Sequence, residues 1–335
     1  MRSAPLFVLG MWRSGTSLLY ALLNQHPQIG LMYEGELAVL RSLFWIPGGK
    51  SDWAQRWNFW NSALDRHQIA LDQAPKDVRR LPDAIRSIYQ QYAAGKGATV
   101  WGCKSPNYYD FLPWLAEMFP AAQFIVIWRD PADVCRSILR AAEKDTWFRK
   151  RGVPHRALFG LRRMKLDCDR LQQQGIAIHE IEYEELVQNP SAVMKAICAF
   201  IDVPFDPRMT SLEGADRSAI YDGEHHSGVK GGKIARKENR PEVLPPAFKA
   251  KIERYTRLWR RDSHGSWPPG PRMEEGNTPG WFETTTDQLG FRAMRAFDAL
   301  TAFIYCFVPI RLLENYRRAK TRNFEQQQKQ DVRLL

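Results

Sequence analysis

The stretch Leu6-Phe7-Val8-Leu9-Gly10-Met11-Trp12-Arg13-Ser14-Gly15-Thr16-Ser17 decides how the rest of the chain is understood. Four apolar residues of strand type run into a loop bounded by two glycines. Leu18 to Gln25 then has the composition of a helix, and His26-Pro27 stops it. A glycine loop between a strand and a helix aims backbone N–H groups and the positive end of the helix at an anion. The one cation inside this loop, Arg13, stands just before Ser14.

Outward from the loop, strand-like and helix-like segments alternate. Ala98 to Cys103 and Gln123 to Trp128 have the apolar character of buried strands, each followed by a basic residue, Lys104 and Arg129. Pro131 opens a helix through about Ala142, the place proline prefers. Ala177 to Glu182 is a further strand, with helical segments at Tyr183–Val187 and Ser191–Ile201. Residues 53–73 and 79–94 show helical spacing. This alternation predicts an α/β fold with a parallel sheet flanked by helices.

Composition narrows the function classes. With 12 Trp, 11 Tyr and 17 Phe, the chain has too many aromatics for a disordered polypeptide. Lys and Arg outnumber Asp and Glu by 48 to 37, a net charge of +11, which favours an anionic partner. The 5 cysteines lie far apart, with no Cys-x-x-Cys pair or Cys/His cluster, so no metal is expected. The apolar run before the glycine loop is too short for a signal peptide, and Ala299 to Leu313 is interrupted by Pro309 and Arg311. A cytoplasmic protein is expected. Basic residues at strand ends and glycine loops suit a small anion, and no nucleic-acid recognition motif is evident.

Gly10-x-x-x-x-Gly15-Thr16-Ser17 is close to the triphosphate loop G-x-x-x-x-G-K-[ST], but Thr16 sits where that loop needs a lysine. A P-loop small-molecule kinase is therefore the second reading. A non-catalytic basic protein binding anions or a membrane is the third. Arg13-Ser14-Gly15-Thr16-Ser17 resembles the 5′-phosphosulfate loop of sulfotransferases that use 3′-phosphoadenosine 5′-phosphosulfate (PAPS), in their bacterial and tyrosylprotein branches. Arg129 and Ser137, eight residues apart across a strand end and helix start, resemble that family's 3′-phosphate site. Judged separately, Arg129-Asp130-Pro131 is also an ordinary helix start. Tyr183-Glu184-Glu185-Leu186 resembles the Y-E-x-L segment whose tyrosine packs near the adenine in some members; a plain strand-to-helix junction would look similar.

The three motifs follow family order over residues 5–205. The resemblance implies a sulfotransferase fold related to nucleotide kinases, PAPS as co-substrate, and a small-molecule hydroxyl or amine as acceptor. Sulfonyl transfer needs a base for the acceptor proton and positive charge at the bridging oxygen. Arg13 and Lys104 are candidates for the charge; Lys104-Ser105-Pro106 resembles the family's segment whose lysine reaches the sulfate. For the base, Glu34 and Glu36 flank Gly35, where related enzymes place a catalytic glutamate. Aligning Gly35-Glu36 favours Glu36, and counting from His26-Pro27 favours Glu34.

Residues 222–261 hold 11 Lys/Arg against 5 Asp/Glu. The stretch His226 to Arg236 resembles the family's late basic glycine loop, which makes Lys230, Lys233 and Arg236 donor-binding candidates. The organisation expected is a sulfotransferase domain at 1–262, a linker at 263–280 and a helical C-terminal extension at 281–335. In that extension Phe291, Met294, Phe297, Leu300, Ile304 and Phe307 recur at three or four, near Arg292, Arg295 and Arg311. Such a helix could pack on the sheet, form a homodimer contact or lie on a membrane. Trp53, Trp57, Phe59 and Trp60 are expected to roof the acceptor cleft.

Overall fold

A computed structural model describes residues 2–38, 52–70, 79–144, 148, 153–221, 227–232, 234, 244 and 246–256. It also describes positions 289, 292–293, 296–297, 300, 303–304, 307–316 and 318–319. In chain order the elements are β1 (Leu6–Leu9), α1 (Thr16–Leu23), β2 (Ile29–Tyr33), α2 (Trp53–Asn61), α3 (Ala63–Arg66), α4 (Leu81–Gly95) and β3 (Val100–Lys104). There follow a 3₁₀ turn (Pro106–Asp110), α5 (Leu112–Met118), β4 (Gln123–Trp128), α6 (Pro131–Lys144), α7 (Val153–Gln173) and β5 (Ala177–Glu182). The remaining helices are α8 (Tyr183–Gln188), α9 (Pro190–Phe200), α10 (Ser227–Lys230) and α11 (Pro246–Thr256).

Among the described residues the strands form one sheet in the order β2-β3-β1-β4-β5. Every pairing is parallel, with Leu6 opposite Gly102 and Gln123, Ile29 opposite Val100, and Gln123 opposite Ala177. This is the α/β architecture expected from the alternating pattern. Strands β1, β2 and β3 are buried along their whole length, which is why they show no alternation of polar and apolar residues. Strand β5 is an edge and keeps only Ile181 buried.

Two layers of side chains hold the sheet. On one side Leu19, Leu22 and Leu23 of α1 join Ile125, Ile127, Ile197 and Cys198 in a single apolar cluster. On the other, Phe7 lies among Tyr108, Phe119 and Phe124, at ring centroid separations of 5.6–6.0 Å. Each such side chain, fully buried, contributes roughly 1.5–3 kcal/mol. Gly30 is required by close packing: a Cβ there would stand 2.8 Å from the Ala93 Cα of α4. Helix α6 starts where proline and capping predict, with Asp130 Oδ1 accepting from the N–H groups of Ala132 and Asp133 at 2.7 and 3.1 Å.

The chain divides into two compact units, Met1–Glu36 with Ile88–Phe291, and Leu37–Ser87 with Arg292–Leu335. The first holds the sheet. In the second, Trp53 and Trp57 stack at 6.4 Å, and Arg56 pairs with Asp52 at 2.9 Å. Arg56 also donates to the Val308 carbonyl at 3.1 Å. Among the described residues no helix is long and apolar enough to cross a membrane. Of the residues singled out above, Phe291, Met294, Arg295, Lys233, Arg236 and the Trp60 side chain lie outside the described residues.

Candidate active site

All five strands point their C-terminal ends at the same edge, and the segments leaving them bring together most of the described residues singled out in the sequence. Ligands of open parallel sheets bind at this edge. The loop after β1 is held in its shape by two positive backbone angles, φ 70° at Arg13 and 96° at Gly15. Only glycine takes the second without strain, and a Cβ there would also strike the ring of Tyr183. Ser14 N–H donates to the Met11 carbonyl at 3.0 Å, closing the loop, and Gly15 stands at the N-cap of α1.

On one side of this loop lie two arginines. Arg13 Nε donates to Ser137 Oγ at 2.9 Å, so the serine one turn and more into α6 does face the loop. Arg129, at the end of β4, donates to the Arg13 carbonyl at 2.9 Å and lies over the ring of Tyr183 at 4.4 Å. Burial, and next the neighbouring Arg129 charge, bring the Arg13 pKa down to about 10. Ser14 Oγ and Arg129 Nε are buried with no hydrogen-bond partner among the described residues. Two crowded cations, one of them with an unpartnered Nε, and the unpartnered Ser14 Oγ fit an anionic ligand.

On the other side lie the carboxylates. Glu34 leaves β2 with φ 51°, a conformation rare outside glycine, and its N–H donates to the Lys104 carbonyl at 2.7 Å. The turn is clamped by Tyr89 and Tyr108, whose hydroxyls lie 2.8 Å apart and both reach the Gly35 carbonyl. Lys104, wholly buried at the end of β3, donates to Glu34 Oε1 at 2.8 Å and to Ser17 Oγ at 3.2 Å. Its ammonium sits 3.9 Å above the Tyr33 ring, and the Tyr33 hydroxyl lies 2.9 Å from Ser17 Oγ. Burial lowers the Lys104 pKa and the Glu34 charge opposes that shift.

Glu36 occupies a different network. Its Oε1 accepts from Ser105 Oγ and Asn107 Nδ2, both at 2.7 Å, and Asn107 in turn accepts from Trp12 Nε1 at 2.7 Å. Burial first, and the nearby Glu34 charge second, push the Glu36 carboxyl up to about 7. The two hydrogen bonds and Lys104 act against that rise without cancelling it. So two glutamates two residues apart have separate surroundings: Glu34 is paired with the lysine beside the loop, and Glu36 is held by neutral donors.

Tyr33, Ser105, Asn107 and Trp12 belong to this site and were given no role by sequence reasoning. The signal for two of them was present, since Ser105 and Asn107 lie within three residues after Lys104. His26 turns out to be structural: its Nδ1 accepts from Gln28 N–H at 3.1 Å, so its Nε2 is the protonated nitrogen and donates to the Pro204 carbonyl at 2.8 Å. Residues Ser227–Lys230 form a helical turn, α10, packed near α1, where a glycine loop was expected. Lys230 ends that turn. Among the described residues no group of three or more His, Cys, Asp or Glu could hold a metal.

A model described as "Sulfotransferase family" matches residues 5–207, which span the whole sheet and its edge. Protein-tyrosine sulfotransferase A of Caenorhabditis elegans is 27% identical over 218 residues, 63% of this chain and 53% of that protein. Nodulation protein NoeE of Sinorhizobium fredii is 31% identical over 151 residues, covering 44% of this chain and 32% of its own length. The chain thus spans about half the length of the first of these relatives and a third of the second. Among solved structures, a sulfotransferase domain from the curacin biosynthetic pathway superposes with a TM-score of 0.53 at 19% identity, over 76% of this chain and 96% of that one. That likeness concerns the fold.

Proposed function

This chain belongs to the sulfotransferase family, and from that premise we propose that it moves a sulfonyl group from PAPS to a hydroxyl or amine of a small-molecule acceptor. The observation that carries the proposal is the Lys104–Glu34 pair, 2.8 Å long, set beside Ser17 of the glycine loop with Arg13 and Arg129 across from it. Cations for a leaving phosphate and a carboxylate for a proton thus share one edge. Arg13, Ser14, Gly15, Thr16 and Ser17 would hold the 5′-phosphosulfate. Arg129 and Ser137 would take the 3′-phosphate, and Tyr183 the adenine. Lys230, Lys233 and Arg236 are further candidates for the donor phosphates.

The acceptor oxygen attacks sulfur in line, the S–O bond to the 5′-phosphate breaks, and the acceptor proton passes to a glutamate. Of the two, Glu34 is the better base, because it is one hydrogen bond from the lysine that touches the loop. Protonating Glu34 removes the partner of Lys104 at the moment the leaving phosphate gains charge. Lys104 is then free to turn its ammonium to that phosphate. The same event thus accepts a proton and releases a cation. Glu36, anchored by Ser105 and Asn107, shapes the turn that carries Glu34.

The test is release of 3′-phosphoadenosine 5′-phosphate from PAPS in the presence of a panel of phenols, alcohols, sugars and amines. Acceptor-dependent release is expected, and Glu34→Gln should lower the turnover by about 10²–10⁴-fold, the range for a general base. Binding of 3′-phosphoadenosine 5′-phosphate by that variant should stay within about threefold of wild type. Full turnover by Glu34→Gln, with Glu36→Gln inactive, would transfer the role to Glu36.

A further inference from the structure

Large apolar side chains that stay exposed are concentrated in one segment. Among the described residues only Leu166 and Tyr221 lie outside residues 289–316. Within it Leu300, Phe303, Ile304 and Phe307 are 44–59% exposed, which excludes the packing of this stripe into a core. The described positions of 289–307 and 310–316 are helical, with a break at Val308 and Pro309. Leu300, Ile304 and Phe307 recur at four and three and so share one helix face; Phe303 stacks edge-on against Phe307 at 4.8 Å.

The segment is anchored by its other side. The carbonyl of Val308, at the break, accepts from Arg56 Nη1, and Leu313 is buried while Leu312 and Tyr316 are exposed. One face is therefore committed to the protein, and an apolar face remains in water. Patches of this kind mark interaction surfaces. Charge identifies the partner. Residues 292–322 contain 7 Lys/Arg against 2 Asp/Glu, in a chain of net charge +11. Two copies meeting through this face would bring two strongly positive segments together. An anionic bilayer would attract both the charge and the apolar stripe.

We propose that the Leu300–Ile304–Phe307 face, with Arg311 and Arg318, is a docking surface for the headgroup region of an anionic membrane. The helix lies in the interface without crossing it. This inference is independent of the sulfonyl-transfer reading and survives if that reading fails.

Sedimentation of the full chain with vesicles of phosphatidylcholine alone, or mixed with phosphatidylglycerol, tests it. Binding is expected only to the mixed vesicles, and it should weaken as salt is raised. The triple variant L300S/I304S/F307S should lose vesicle binding by about tenfold or more, with its unfolding temperature unchanged. The pair R311E/R318E, which leaves every apolar side chain in place, should lose about tenfold or more as well. Three results would overturn the proposal: wild-type protein that ignores the mixed vesicles, binding that both variants retain, or a wild-type dimer that the triple variant converts to monomer.

Discussion

The two sides of the glycine loop are built on opposite electrostatic terms. On the arginine side, the Arg129 charge lies close enough to disfavour that of Arg13, and Ser14 Oγ and Arg129 Nε have no partner among the described residues. On the carboxylate side Lys104 is matched by Glu34, and Glu36 by Ser105 and Asn107. One half is incomplete until an anion arrives, so ligand binding should stabilise the fold. The other half is complete at rest and has to be broken to work. On the proposed reading, one side of the edge would grip the doubly phosphorylated nucleotide and the other would work in the transfer.

The largest effect that would break this comparison is on the arginine side. Arg13→Ala removes a half-buried charged donor that the proposed reading sets against the phosphosulfate, and binding of 3′-phosphoadenosine 5′-phosphate should weaken by roughly 30–1000-fold, as read by calorimetry. Arg129→Ala should weaken it comparably and also release the Tyr183 ring. Next in size is Lys104→Met, which leaves Glu34 without its cation. It should cut turnover by about 10²–10³-fold while donor binding falls far less, separating the two sides in a kcat-against-KM split.

The third prediction sharpens the division between the glutamates. Glu36 has its carboxyl raised to about 7 in the folded chain. The fold therefore favours the protonated form, and that stabilisation is full below the ordinary carboxylate range and is lost as pH rises through about 7. Glu36→Gln keeps an oxygen for Ser105 and Asn107 and carries no charge. At pH 8 it should gain on the order of 1–3 kcal/mol over wild type, with the gain vanishing near pH 4, in urea unfolding at the two pH values. A gain of equal size at both would show that the Glu36 charge is not what the fold resists. The smallest effect belongs to Tyr33→Phe, which takes one hydroxyl from Ser17 and should cost about 0.5–1.5 kcal/mol.

The legibility of this molecule in its sequence follows from how local each feature is. The β1 loop was readable because strand, glycines and helix are contiguous, and the spacing from Arg129 to Ser137 because both lie on one strand-to-helix passage. That Ser137 meets Arg13, 124 residues away in the chain, depends on β1 and β4 being neighbours. The roles of Glu34 and Glu36 could not be separated by counting. They are set by which residue at the end of β3 each one meets, and that pairing is non-local. Helix α7 escaped attention although Val153, Ala157, Leu161, Met164, Cys168 and Leu171 recur on one face and are buried. Its Pro154, Gly160 and charged residues mask that period. Likewise, glycines at 228, 231 and 232 suggested a loop, and of these Gly228 lies within a helical turn.

The central claim is that the arginine side of the sheet edge is built for a nucleotide phosphorylated at both the 3′ and 5′ positions. Thermal unfolding of the full chain with saturating 3′-phosphoadenosine 5′-phosphate, beside AMP, ADP and ATP–magnesium, tests it most directly. At one hundred times its dissociation constant the ligand should add about 2.7 kcal/mol of stability, AMP and ADP far less, and Arg13→Ala should abolish the difference. Stabilisation by ATP–magnesium alone, or equal stabilisation by AMP, would contradict the account.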